Sequence, residues 1–192
     1  MAKQAKSSAE SNNGNGKDDS SFLRTRLVVI NEEINGKVAK QVIRELEELK
    51  FKDDKTPIAL IINSFGGIVY DAFAIMEHIR TLGVPVHTKT TGYAFSAGAA
   101  ILSQGAKGHR VCAKNAVIML HEIVVSFSGE MTHVNMEHDQ RVKLNNQVMS
   151  ILAINCGHKT KKAQAEFIEK IVEKRYFTAK EAKELGLIDT II

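Results

Sequence analysis

The sequence predicts an α/β fold with a mainly parallel sheet, and two observations carry this prediction. Short apolar runs typical of buried strands alternate with longer amphipathic stretches typical of helices. The connections between these segments are short, as expected where helices join parallel strands in right-handed crossovers. The apolar runs are continuous rather than alternating, which favours a sheet that is covered on both faces.

The predicted elements follow one another in a regular order. Strands are expected at residues 27–30, 58–62, 86–90, 110–112, 116–120 and 187–192. Helices are expected at residues 36–50, 69–82, 97–102, 131–154, 161–173 and 178–185. The first helix shows the reasoning, since Val38, Val42 and Leu46 fall on one helical face and charged residues on the other.

Length and composition favour one globular domain. The chain has 192 residues, of which 44% are hydrophobic and 25% charged, and its net charge is only +4. We expect a disordered polar tail at residues 1–20 and a single domain at residues 21–192, because the tail has no large apolar residue after Met1. Basic residues are spread among acidic ones rather than clustered, and aromatic residues are few, so the sequence gives no argument for nucleic-acid binding. The two distant cysteines and the lack of a membrane-spanning stretch or signal peptide favour a cytoplasmic location.

Ser96 is the first candidate for chemistry. It lies between a predicted strand and a predicted helix, among the small residues of the stretch from Thr91 to Ala100. A serine at such a turn can expose its hydroxyl to a substrate while nearby backbone N–H groups point at the same place. The alternative is that Ser96 merely caps the helix, which serine often does.

Two further features follow predicted strands, at the end of the sheet where sites of such folds gather. His121 ends the strand at 116–120 and has a side chain that can act as a base near neutral pH. The pair Gly66 and Gly67 follows the strand at 58–62, and the Gly67 N–H could stabilise an oxyanion together with the Ala97 N–H. His133 and His138 do not share a helical face, so we expect no metal site, and no cofactor is called for.

Several motifs together resemble the Clp protease proteolytic subunit (ClpP) family, the S14 peptidases. The segments that carry the resemblance are residues 62–67, 92–98, 105–110, 119–121 and 178–189, in the order and at the spacing of that family. The resemblance spans residues 22–192. It implies a ClpP/crotonase-type spiral of ββα units, with a handle made of a strand and a long helix at residues 127–152.

The resemblance also implies a function. Ser96 would be the nucleophile, His121 the base, and Gly67 and Ala97 the oxyanion donors of a serine endopeptidase acting on unfolded polypeptides. The family implies a homo-oligomer of two stacked rings. It also implies an AAA+ unfoldase as partner, although the strand at 58–62 lacks the aromatic residues that line the family's docking pocket.

The third member of the catalytic triad departs from the family. Lys174 stands where the resemblance implies an aspartate, so we predict Glu173 as the acidic partner of His121, with Glu122 second. Two other interpretations stay open: a phage-type capsid maturation protease of the same superfamily, and a catalytically inactive ring subunit. A crotonase-type acyl-CoA enzyme would share the fold but would not need both Ser96 and His121.

Overall fold

The chain forms two β-sheets with helices packed around them. This computed structural model describes residues 25–173 and 175–192. The tail predicted at residues 1–20 and the residue Lys174 therefore lie outside the described residues.

The larger sheet has five parallel strands, in the order β1-β2-β3-β5-β8. These strands are β1 (Leu27–Ile30), β2 (Ile58–Ile62), β3 (Val86–Thr90), β5 (Arg110–Cys112) and β8 (Thr190–Ile191). A smaller sheet has the order β4-β6-β7 and consists of β4 (Tyr93–Phe95), β6 (Val117–Met119) and β7 (Tyr176–Thr178). In the smaller sheet, β4 and β6 are parallel, whereas β7 runs antiparallel to β6. The predicted α/β class with a mainly parallel sheet is confirmed.

The described helices connect these strands. They are α1 (Gly36–Lys52), α2 (Val69–Thr81), α3 (Ala97–Ser103), α4 (Met131–Asn155), α5 (Lys161–Glu173) and α6 (Ala179–Glu184). Local sequence explains where two of them begin. The Asn35 side chain accepts hydrogen bonds from the first N–H groups of α1, and Thr178 forms a capping box with Glu181 at the start of α6.

The core lies between the larger sheet and the helices. A buried ion pair lies beside the last strand of that sheet. Strand β2 is buried along most of its length, and α3 is buried throughout. Arg110 is only 1% exposed and donates two side-chain hydrogen bonds to Asp189, of 2.9 and 2.6 Å. Because Asp189 lies just before β8, this pair fixes the last strand beside β5.

Strand β1 is less buried than the sequence predicts. A buried strand was predicted at residues 27–30, but Leu27 and Val29 are exposed and only the alternate residues Val28 and Ile30 are buried. Alternate exposure means that only one face of β1 is covered, and β1 lies at the edge of the larger sheet, beside β2 alone. A continuous apolar run does not reveal which strand occupies an edge, because that depends on the strand order.

The predicted handle and the predicted last strand are both longer than the elements that the structure contains. The long helix of the handle is present as α4, but its predicted strand is absent, because residues 120–130 belong to neither a helix nor a strand. A strand needs a neighbour for its backbone hydrogen bonds, and none of the described strands pairs with this segment. The last strand covers only Thr190–Ile191, because its pairing with β5 involves those residues alone.

Candidate active site

Ser96 occupies a strained turn between β4 and α3. Its φ is 51° and its ψ is −118°, and among the described residues it is the only non-glycine residue with a positive φ. Its backbone N–H donates a 2.7 Å hydrogen bond to the carbonyl of Met119 on β6. The side chain makes no capping hydrogen bond to α3, which argues against the helix-cap alternative. Such strained positions concentrate at functional sites, where they hold a side chain in an exposed orientation.

His121 lies beside this turn. It comes just after β6, and it lines one cavity together with Ser96, Gly67 and Ala97. Burial lowers the pKa of His121 below its ordinary value of 6.5, and the positive charge of Arg175 lowers it further. A hydrogen bond with the backbone of Glu122 opposes both effects. Burial and the charge of Arg175 both favour the neutral imidazole, which is the form that can accept a proton.

The glycine pair places a backbone N–H at the same cavity. The carbonyl of Gly66 accepts a 2.8 Å hydrogen bond from the N–H of Ile34. In a planar trans peptide the carbonyl and the following N–H point in opposite directions, so the Gly67 N–H faces away from Ile34. Gly67 also lines the cavity that contains Ser96.

Both glycines are required by the backbone and by space. Their φ values are 100° for Gly66 and 148° for Gly67, a region that favours glycine. A Cβ at Gly66 would lie 2.9 Å from the carbonyl oxygen of Phe95 and 2.9 Å from the Cβ of Ser96. The glycine loop therefore lies so close to the serine turn that a side chain at Gly66 would not fit between them.

The rest of the cavity is apolar. Its volume is about 40 Å³. Besides the polar site residues it is lined by Val69, Ala72, Phe73, Met76, Ala100, Leu120, Val148 and Leu152, from α2, α3, α4 and the end of β6. An apolar side chain is the group that such a lining favours. Sequence reasoning missed this lining; the spacing of Val148 and Leu152 on one face of α4 was the available signal.

The acidic candidates lie apart from the cavity. Glu173 is the last residue of α5 and lines a separate depression with Phe177 and Glu181. Glu122 accepts a 3.0 Å hydrogen bond from the side-chain amide of Asn145 on α4. The prediction of Glu173 as the partner of His121 stays a prediction, and Lys174 is outside the described residues.

The side chain of Phe65, just before the glycine pair, packs against aromatic residues of β4. The Phe65 ring stacks on Tyr93 with the ring centroids 4.4 Å apart, and it contacts Phe95 edge-on at 5.6 Å. Such pairs stabilise beyond the area they bury. The aromatic residue thus ties the glycine turn to β4, the strand that precedes Ser96.

The described residues offer neither a metal site nor a membrane-spanning helix. Within residues 25–173 and 175–192, no group of three or more His, Cys, Asp or Glu side chains is placed to hold a metal ion. None of the helices in the described part of the chain is long and apolar enough to cross a membrane.

Fold and site together define a class, an α/β protein with a serine at a strained strand-to-helix turn beside a histidine and a glycine pair. The family model for Clp protease matches residues 12–192, and the chain belongs to this family, the S14 peptidases. It is similar to the ATP-dependent Clp protease proteolytic subunit 1 of Bacillus cereus (strain ATCC 10987 / NRS 248). The two are 34% identical over 174 residues, which cover 90% of this chain and 88% of the relative.

Proposed function

We propose that the chain is a serine endopeptidase that hydrolyses unfolded polypeptides, with Ser96 as nucleophile and His121 as general base. The observation that carries this proposal is the single cavity lined by Ser96, His121, Gly67 and Ala97. A serine hydroxyl is a poor nucleophile without a base to accept its proton and donors to hold the developing oxyanion. The four residues supply those functions.

The proposed reaction is an acyl transfer in two steps. The Ser96 Oγ attacks the carbonyl carbon of the scissile peptide bond while His121 takes the hydroxyl proton. The oxyanion accepts hydrogen bonds from the N–H groups of Gly67 and Ala97, and His121 returns its proton to the leaving amine. Water, activated by His121, then hydrolyses the acyl-enzyme and frees Ser96.

The role of Ser96 can be tested with a fluorophosphonate probe, which phosphonylates an activated serine and releases fluoride. We expect the wild-type chain to be labelled, the Ser96→Ala variant to lose labelling completely, and the exposed-site control Ser128→Ala to be labelled like the wild type. Equal labelling of the Ser96→Ala variant would refute the assignment. An unlabelled wild-type chain would instead support the alternative of an inactive ring subunit.

The third member of the triad is proposed to be Glu173. It stands directly before Lys174, and a short connection between α5 and β7 could bring its carboxylate to His121 in the working assembly. Glu173→Gln should then lower kcat/KM strongly, since losing the orienting carboxylate in a serine protease costs about 10⁴ in rate. Lys174→Ala should have little effect. The opposite ranking, or a gain of activity in Lys174→Asp, would show that the position of Lys174 is the one that faces His121.

We further propose that the chain assembles into a homo-oligomer of stacked rings. Helix α4 is 25 residues long and exposes Met131, Met136 and Val142, which a partner subunit would bury. Light scattering at micromolar concentration should give a mass many times 21.2 kDa. A monomeric mass would contradict this assembly, and a variant with Met131 and Met136 changed to glutamate should shift the mass downward.

An ATP-driven unfoldase of the AAA+ class is the proposed partner, in the cytoplasm. The relative from Bacillus cereus is named as a subunit of an ATP-dependent protease. On the edge strand β1, Leu27 and Val29 are 40% and 44% exposed and offer an apolar surface without aromatic residues. ATP-dependent degradation of a folded substrate in the presence of the unfoldase, and its loss in a Leu27→Asp variant, would support this partner. Degradation of unfolded substrates alone would favour a protease that works without an ATPase.

A further inference from the structure

The buried hydroxyl of Ser64 joins the glycine pair to its surroundings. Ser64 is 1% exposed and lies between β2 and Gly66. Its Oγ donates a 2.7 Å hydrogen bond to the carbonyl of Glu32, and it accepts a 3.1 Å hydrogen bond from the N–H of Gly66. A hydroxyl has one proton to donate and lone pairs to accept with, so both bonds can exist at once.

The backbone of Ser64 is held on its other side by the strand that leads to Ser96. Its N–H donates to the carbonyl of Tyr93 at 3.3 Å, and its carbonyl accepts from the N–H of Phe95 at 2.9 Å. Ser64 therefore has two attachments, a backbone one to β4 and a side-chain one to the glycine loop. Any movement of the loop relative to the serine turn must break one of them.

The loop needs such an attachment because of its composition. Gly66 and Gly67 both have positive φ, and glycine itself restrains rotation less than any other residue. The peptide between them carries the proposed oxyanion donor, the Gly67 N–H. That peptide is fixed at one end by the bond from Ile34 to the Gly66 carbonyl and, through the preceding N–H, by the Ser64 Oγ.

We propose that Ser64 is a positioning residue for the reaction, which holds the Gly66–Gly67 loop so that the Gly67 N–H points at the oxyanion. This inference rests on the proposed peptidase function. Ser64 touches no reacting atom in this scheme; it acts through Gly67. The purely structural alternative is that the hydroxyl only satisfies buried backbone groups, as serine does in many turns.

Ser103 is a matched control for that alternative. It is 2% exposed, its Oγ donates a 2.7 Å hydrogen bond to the Ala100 carbonyl, and it accepts a 3.0 Å bond from Asn155. Its burial and its hydrogen bonding thus resemble those of Ser64, but its partners are Ala100 and Asn155 rather than the glycine loop. A stability loss should be common to both alanine variants, whereas a loss of transition-state stabilisation should not.

The experiment compares Ser64→Ala, Ser64→Thr and Ser103→Ala in the full chain. We expect Ser64→Ala to lower kcat about 100-fold with little change in KM, because displacing a catalytic group by about an ångström costs on this order. The affinity for a peptide boronate, whose tetrahedral adduct places an oxygen at the oxyanion site, should fall by a similar factor. Ser103→Ala should retain kcat, and Ser64→Thr, which keeps the hydroxyl, should recover most of it.

A second measurement does not depend on activity. Hydrogen–deuterium exchange of the peptide that contains Gly66 and Gly67 should accelerate in Ser64→Ala and stay unchanged in Ser103→Ala. If kcat and boronate affinity in Ser64→Ala remain within twofold of the wild type, or fall equally in both alanine variants, the positioning role is refuted. An inactive wild-type chain would refute the proposed function, and unchanged exchange in Ser64→Ala would then also refute the restraint on the loop.

Discussion

Replacing Asp189 with asparagine should destabilise the fold strongly. The Asp189 carboxylate accepts hydrogen bonds from the Arg110 side chain at 2.6 and 2.9 Å and from the N–H groups of Gly108 and Arg110 at 2.8 and 3.0 Å. The Arg110 side chain is 1% exposed and that of Asp189 is 14% exposed. Asparagine would keep the shape of the side chain but leave the buried guanidinium without a counter-charge.

The expected loss of unfolding free energy follows from the pKa of Asp189 and from the known cost of breaking a buried ion pair. Burial works to raise the pKa of Asp189, but the hydrogen bonds and charge of Arg110 outweigh it and lower the pKa from 3.8 to about 2. A displacement of that size corresponds to about 2 kcal/mol of unfolding free energy at pH 7. Removing one partner of a buried ion pair costs about 3–5 kcal/mol in measured cases. We therefore expect a loss of about 2–5 kcal/mol, or a fall in Tm of about 5–15 °C for a chain of this length.

The assay is thermal unfolding by circular dichroism at equal protomer concentration, with Glu77→Gln as the control. Glu77 forms an equally short contact with Arg80, 2.6 Å, but both side chains are more than half exposed. Exposed pairs contribute only about 0–1 kcal/mol, so the control should hardly move Tm. Equal shifts in the two variants, or a shift of less than about 2 °C in Asp189→Asn, would refute the reasoning.

The same pair gives a pH dependence with a definite sign. Because the folded-state pKa of Asp189 is depressed, its contribution is complete above about pH 4 and is lost as the pH falls toward 2. The difference in Tm between the wild type and Asp189→Asn should accordingly shrink across that interval. A difference that stays constant down to pH 2 would mean that the charge of Asp189 is not the source of the stabilisation.

Three other predictions concern the site and one helix end. Arg175→Ala should raise the pKa of His121, so the acidic limb of a kcat/KM profile should move to higher pH; an unchanged or lower limb would contradict the charge effect. Gly66→Ala should abolish peptidase activity because its Cβ would meet Phe95 and Ser96, whereas Gly83→Ala, with a similar positive φ but open space around it, should retain kcat. Asn35→Ala should cost about 1 kcal/mol in urea unfolding by removing the cap of α1, and no change would show that another group caps the helix.

The larger elements could be predicted from the sequence because each carries its own periodic signal. The helix α1 and the strand β2 differ from their predicted ranges by two residues or fewer. The strands β4 and β7 were not predicted, because β4 lies inside the stretch interpreted as the serine turn and β7 overlaps the start of the helix predicted at residues 178–185. They exist because β6 lies between them and supplies hydrogen bonds on both sides, which is a tertiary property.

The residues of the candidate site also differ in whether the sequence alone points to them. Ser96, Gly67, Ala97 and His121 were singled out from the sequence, and the structure places them around one cavity. The apolar lining from α4 was not predicted, because the spacing of Val148 and Leu152 shows that they share a helical face but not that this face reaches the cavity. Ser64 was missed because a buried serine before two glycines has the same local pattern whether it caps a turn or positions a loop.

The smaller sheet constrains the proposed serine–histidine pair but not its proposed acidic partner. Phe95 of β4 pairs with Met119 of β6, so the distance from Ser96 to His121 is set by the register of two hydrogen-bonded strands. No comparable constraint acts on Glu173. Strand β7 pairs with β6 through Tyr176, and the backbone contact continues to the bond between Leu120 and Arg175 at 2.9 Å. Glu173 is the last residue of α5 and takes part in none of the described strand pairings. A substitution between α5 and β7 can therefore change the proposed acidic partner without altering the strand register that places Ser96 near His121, so the proposed serine–histidine pair and its proposed acidic partner must be tested separately.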